Sequence, residues 1–206
     1  MDFNQEKKLF KLGYKKILAI DESGRGALAG PLVVSGVVIE KQTLKLFNSI
    51  KKIIKDSKKL SPRQRMKIFN LIQELKIPYR ITKITPQVID KIGIHQAFFL
   101  GVKRLIHYYK NETDLVLIDG PWQIKTYLPV LSFVKGDEKI FSIALASIIA
   151  KVKRDLIMIK LNHQYPHFNL NIHKGYGTVF HRQALKKYGP VKIHRRTFIK
   201  FLTKVK

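Results

Sequence analysis

Apolar positions along the chain fall into short blocks that switch between strand and helix periodicity. "KILAID" (16–21) reads as a short buried strand, and after a glycine-rich turn "PLVVSGVVIE" (31–40), rich in β-branched residues, reads as a second; the two predict a hairpin. "SPRQRMKIFNLIQELK" (61–76) carries a helix start, with Ser61 as N-cap and Pro62 at the first helical position. Its apolar positions 66, 68, 69, 71, 72 and 75 predict an amphipathic helix. "PYRITKIT" (78–85) alternates like a strand, 86–110 predicts a helix interrupted near Gly93, and "DLVLIDG" (114–120) predicts another buried strand. "LSFVKGD" (131–137) predicts a short strand ending in glycine and a carboxylate, followed by a long helix from about Ser142 to Asn162. The small residues Ser142, Ala146, Ser147 and Ala150 would let that helix approach another backbone closely. The tail predicts one short helix stopped by Gly189 and Pro190, amid glycines, aromatics and basic residues. Strands and helices in this order indicate an α/β domain.

A chain of 206 residues can bury its own core. It has no cysteine, which excludes disulfides, thiolate metal sites and thiol catalysis, so any metal must sit on oxygen or imidazole. No stretch approaches the ~20 apolar residues of a membrane span, and a cytoplasmic location is expected. The formal charge of +26 attracts polyanions at long range and points to nucleic acid, although part of the excess is ordinary solvated lysine surface.

Against this positive background three predicted strands end in acid: Asp21 and Glu22, then Asp119, then Asp137. In α/β sheets ligands gather at the carboxyl ends of strands, so the four carboxylates can converge, and their mutual repulsion argues for a cation between them. Oxygen donors alone suit Mg²⁺ or Mn²⁺, and two such ions about 3.5–4 Å apart serve phosphodiester cleavage. Each acid could also merely cap a turn; four together favour the metal reading.

The glycines at 24, 26 and 30 suggest a dinucleotide loop only weakly, because Pro31 and the valine run open a strand rather than a helix. Gly24-Arg25-Gly26 suits backbone approach to a sugar or phosphate, with Arg25 adding a fork of donors. A basic nucleic-acid-binding protein without activity would have no use for four acids. A junction resolvase would share the acids and cut branched DNA lacking ribose.

With these residues assembled, the chain resembles the type 2 ribonucleases H, specifically bacterial ribonuclease HII. "IDESGRGALAGPLV" matches the family's first-strand signature, and "DSKKLS" (56–61), "LIDG" (117–120), "KGD" (135–137), "SIALASIIAKVKRD" (142–155), "HKGYGT" (173–178) and "HRRTF" (194–198) follow in family order. The resemblance implies a ribonuclease H-like fold, a central mixed sheet flanked by helices. It implies a catalytic domain over 1–165 and a small C-terminal helical segment over 166–206 that completes the substrate-binding site. The family's metal-binding acids map onto Asp21, Glu22, Asp119 and Asp137, and its readers of the ribose 2′-hydroxyl onto Gly24, Arg25, Gly26 and Tyr176.

The implied activity is two-metal hydrolysis of RNA in RNA–DNA hybrids and nicking of duplex DNA 5′ of a single ribonucleotide, leaving 3′-hydroxyl and 5′-phosphate ends. Roles in ribonucleotide excision repair and RNA primer removal follow from that activity. A monomer is expected, with recruitment by a replication or transcription partner. Lys58, Lys59, Arg195 and Arg196 are expected on backbone phosphates, whereas Asp155 is expected in a structural salt bridge or cap rather than on metal. His173, His181 and His194 are not needed as ligands. Ser23, Ala27, Pro121 and Leu145 depart from the family's usual residues while leaving every proposed ligand in place.

Overall fold

The computed structural model describes residues 2–54 and 60–203. Five strands form one sheet: β1 (Lys16–Ser23), β2 (Leu32–Glu40), β3 (Tyr79–Ile84), β4 (Leu115–Asp119) and β5 (Val130–Phe133), in the order β3-β2-β1-β4-β5. β1 pairs antiparallel with β2 and β2 with β3, whereas β1, β4 and β5 run parallel, so the sheet is mixed. The helices are α1 (Asn4–Lys11), α2 (Asn48–Ile53), α3 (Pro62–Glu74), α4 (Pro86–Tyr108), α5 (Gly136–Lys139), α6 (Phe141–Gln164), α7 (Leu170–His173), α8 (Val179–Tyr188) and α9 (Lys200–Thr203).

Strand alternation sorts the core into two layers. Ile17 and Ala19 of β1 with Leu115 and Leu117 of β4 face one cluster shared with α1, α2, α3 and α6. Leu18 and Ile20 with Val116 and Ile118 face a second cluster covered by α4. Both faces are therefore apolar, which explains why these strands read as continuous hydrophobic runs rather than as alternating ones.

The expected helix start holds: Ser61 accepts from the Gln64 amide at 3.2 Å, and the Gln64 side chain accepts from the Ser61 amide at 2.8 Å. α4 breaks at Gly93, whose φ of 77° no ordinary helical residue adopts. α6 presents Ala144, Ala146, Ser147 and Ala150, all fully buried, and their small size lets the helix lie close on the sheet. No side chain of its own caps this helix. Instead Glu6 of α1, itself buried, accepts from the Ser142 amide at 2.8 Å.

Two expectations change. β5 stops at Phe133, so Asp137 does not end a strand; Lys135 turns the chain through the left-handed region, φ 57°, and Asp137 sits in the single turn of α5. The tail also holds more than one short helix. α7 and α8 pack with the end of α6 and with Leu28 and Ala29 around a third small core, which Ile193 and Ile199 complete.

Candidate active site

The parallel register of β1 and β4 aligns Ile20 with Ile118, so Asp21 and Asp119 leave neighbouring strands side by side and toward the same face. That face is the one α6 covers, as the placement of Ile17, Ala19, Leu115 and Leu117 shows. Adjacent strand residues point to opposite faces, so Glu22 goes the other way. There its Oε1 accepts from Arg25 Nε at 2.8 Å, and the Arg25 guanidinium lies over the adjoining rings of Phe98 and Trp122, 4.8 and 4.7 Å from their centroids. Asp137 arrives from the third side: the amide of its neighbour Gly136 donates to Asp119 Oδ1 at 2.6 Å.

Asp21 is the buried centre of this group. Burial pushes its carboxyl well above the usual range, the charge on Glu22 adds to that, and Asp119 adds more. The Ser147 hydroxyl and the Glu22 amide work in the opposite direction by donating to it. Ser147 in turn accepts from Lys151 Nζ at 2.8 Å, and that ammonium stands 3.9 Å from Asp137. Lys151 thus pairs with Asp137 and, through the Ser147 hydroxyl, is linked to Asp21.

The sequence expectation that all four acids converge is met in part. Glu22 and Asp119 both stand close enough to Asp21 for their charge to act on it, although Glu22 also accepts from Arg25, and Asp137 joins them through Lys151. Among the described residues no three acidic or histidine side chains stand close enough to hold one ion as arranged. The donor chemistry nevertheless fits a hard divalent cation: the set is all oxygen, and a buried carboxylate repelled by two others is relieved by positive charge.

Beside the acids lies an open cleft of about 490 Å³. Glu22 and the Gly24–Gly26 turn form one wall, Arg65, Lys151 and Asp155 a second, and Lys174 with Tyr176 a third. Both terminal nitrogens of Arg25 lack a hydrogen-bond partner among the described residues. Asp155 makes a salt bridge, as expected, with Arg65 at 3.6 Å.

Arg195 corrects its expectation. It is fully buried, and its donors go to the carbonyls of Arg25 and Gly30, so it does not face phosphate. Arg196 is exposed, with its amide on Asp90, while Lys58 and Lys59 lie outside the described residues. The departures are absorbed: Leu145 and Ala27 are fully buried, Ser23 stays in β1 opposite Val33, and Pro121 is on the surface.

Sequence reading missed Lys151, Arg65 and Trp122. The Ser147–Lys151 spacing of four places both on one helix face and was a usable signal; the contacts of Arg65 and Trp122 join distant segments and left none.

A family model described as ribonuclease HII matches residues 18–201. The ribonuclease HII of Caldicellulosiruptor bescii is 42% identical over 203 residues, covering 96% of this chain and 93% of its own. Among solved structures, the ribonuclease H2 of Pyrococcus horikoshii is 27% identical, with a TM-score of 0.71 over 92% of this chain and all of its own. The ribonuclease HII of Archaeoglobus fulgidus, solved in complex with PCNA, is also 27% identical, with a TM-score of 0.73 over 92% of this chain and 98% of its own. With its mixed sheet, flanking helices and acids at the strand ends, the chain belongs to the ribonuclease HII family, metal-dependent endoribonucleases that act on RNA–DNA hybrids.

Proposed function

We propose that this enzyme also nicks duplex DNA 5′ of a single embedded ribonucleotide, leaving 3′-hydroxyl and 5′-phosphate ends, and serves ribonucleotide excision repair and RNA primer removal. The observation that carries this reading is a shared cleft: Glu22, the Gly24–Gly26 turn and Tyr176 line one cavity. Glu22, one of the residues that would hold metal, therefore borders those that would meet the ribose.

In this reading Asp21, Glu22, Asp119 and Asp137 hold Mg²⁺ or Mn²⁺. Ions held there would supply water activation and stabilisation of the leaving oxygen. The chain's own residues do the rest. With Glu22 turned to metal, the Arg25 guanidinium, resting on Phe98 and Trp122, would be free to donate to the substrate. Tyr176, 42% exposed, presents its ring to the sugar and its hydroxyl as a hydrogen-bond donor. Only the 2′-hydroxyl distinguishes a ribonucleotide from its neighbours, so it sets the register of the cut. Lys58, Lys59 and Arg196 contact backbone phosphates, which position the duplex without reading sequence. The segment 166–206 completes the substrate site, because Lys174 and Tyr176 come from it. The protein acts as a monomer, and the likeness to a relative solved with PCNA supports recruitment by a replication partner.

The test is cleavage of a labelled duplex carrying one ribonucleotide, with and without Mg²⁺ or Mn²⁺, beside an all-DNA duplex and an RNA–DNA hybrid. A metal-dependent nick 5′ of the ribonucleotide is expected, absent from all-DNA and reduced more than about a hundredfold by Asp21→Asn. Hybrid cleavage without any cut at the single ribonucleotide would refute the reading.

A further inference from the structure

The glycine-rich turn between β1 and β2 does not hold its own shape. Its backbone makes one internal hydrogen bond across residues 24–30, Ala27 amide to Gly24 carbonyl at 3.4 Å, while successive carbonyls point into the protein. Two guanidiniums from remote parts of the chain receive those carbonyls. Arg195 donates from Nη1 to Arg25 O at 2.9 Å, and from Nε and Nη2 to Gly30 O at 3.1 and 3.0 Å. Arg154, from α6, donates from Nη2 to Ala29 O at 3.0 Å and from Nε to Pro31 O at 3.1 Å. Its Nη1 reaches Lys174 O at 2.8 Å, and its guanidinium carbon lies 5.3 Å from the centre of the Tyr176 ring.

Both arginines are fully buried, and neither makes an ion pair among the described residues. Burying an unpaired cation costs several kcal/mol, so filling space is a poor explanation; an apolar side chain would do that better. What a guanidinium offers is a rigid planar fork that satisfies several carbonyls at fixed angles. The backbone has made room for it. A Cβ on Gly24 would come within 2.7 Å of Arg154 Cδ and Cζ, and Gly24 already has a φ of 94°. On the far side, the amides of Leu28 and Ala29 donate to Gly175 O at 2.8 and 3.2 Å, tying the same turn to the residue before Tyr176.

We propose that Arg154 and Arg195 are positioning residues for ribose recognition: they lock the Gly24–Gly26 turn and Tyr176 into one surface without touching substrate. The inference rests on the reading that these residues recognise the 2′-hydroxyl. Telling one hydroxyl from a hydrogen requires partners fixed in place, because displacement by about 1 Å forfeits about a hundredfold in rate. A duplex with one ribonucleotide offers a single productive register, whereas an all-RNA strand in a hybrid offers a 2′-hydroxyl at every register. A loosened reader therefore harms the first substrate more.

The experiment measures kcat/KM on the single-ribonucleotide duplex and on the hybrid for wild type, Arg154→Lys, Arg195→Lys and Tyr176→Phe. The ratio of the two is unaffected by the fraction of protein that is folded, which a merely structural role would change. Each lysine variant keeps the charge and loses the fork. The ratio is expected to fall about tenfold or more in both, with Kd for an all-DNA duplex changed less than about twofold, since the phosphate-facing lysines are intact. If Tyr176→Phe lowers the ratio and both lysine variants keep the wild-type ratio, the reader stands and the positioning role is wrong. If Tyr176→Phe leaves the ratio unchanged, the reading beneath the proposal is wrong, and the proposal with it. Should one lysine variant not fold, the other carries the test, because each guanidinium holds separate carbonyls of the turn.

Discussion

Asp21 carries opposed demands at the scale of a single residue: it is buried against Ser147 with Glu22 and Asp119 nearby, so its charge costs stability until a cation arrives. Asp21→Asn should therefore raise the melting temperature of metal-free protein while abolishing cleavage. Melting curves in EDTA and in Mg²⁺ check both parts. The wild type gains on metal addition and the variant gains less, because a ligand stabilises only the state that binds it. Arg25 yields a second expectation. Its contact with the faces of Phe98 and Trp122 is worth about 0.5–2 kcal/mol, so Trp122→Ala should lower kcat/KM on the single-ribonucleotide duplex about 2- to 30-fold. Trp122→Phe should recover most of that loss, and steady-state kinetics on the three proteins decide. The acids themselves were legible in the sequence because each interrupts an apolar run; the ring contact of Arg25 was not, since Phe98 and Trp122 meet it only through the fold.

At the scale of elements, α6 is the beam on which the site is built: Ser147, Lys151, Arg154 and Asp155 all project from it. Its first turn relies on a cap from elsewhere, the buried Glu6 carboxylate on the Ser142 amide. Glu6→Ala should cost about 1–2 kcal/mol. Glu6→Gln, which keeps an acceptor oxygen, should cost less, and urea denaturation of the pair tests this. The helix itself was legible from its length and its small residues, whereas its cap was not, because no local N-cap pattern reaches 136 residues along the chain. The same limit misplaced Asp137: "LSFVKGD" reads as strand throughout, but the left-handed turn at Lys135 ends the strand early and folds the carboxylate back toward Asp119.

At the scale of the whole molecule, the C-terminal segment is fastened through histidines that must stay neutral. The Val191 amide donates to His194 Nδ1 at 3.0 Å, so the ring's proton sits on Nε2 and points at His181 Nε2, 3.2 Å away. His181 then donates from Nδ1 to the Tyr176 carbonyl at 3.0 Å. A second proton on either ring leaves two donors facing each other in an apolar pocket. Burial, with a smaller contribution from a neighbouring histidine, His173 for His181 and His181 for His194, lowers both pKa values from 6.5 to about 4. The unfolded chain binds more protons than the folded one between those values. Stability is thus complete above about pH 6.5 and falls as the pH drops toward 4, by about 1.4 kcal/mol per pH unit for each histidine that protonates. Denaturation midpoints between pH 7 and 4.5 should fall accordingly, and less steeply in His194→Gln.

Composition, periodicity and motif order determined by themselves the α/β class, the hairpin, the break at Gly93, the long helix and the four acids, because each is written in neighbouring residues or in a period of two or 3.6. Tertiary structure alone decided which acids stand together. Parallel register sets Asp21 beside Asp119, and strand alternation turns Glu22 to Arg25 while leaving its charge close enough to act on Asp21. It also decided that Arg195 belongs inside the protein rather than on its surface. A basic residue carries the same charge in either place, and only the carbonyls gathered around it by a distant turn make burial tolerable.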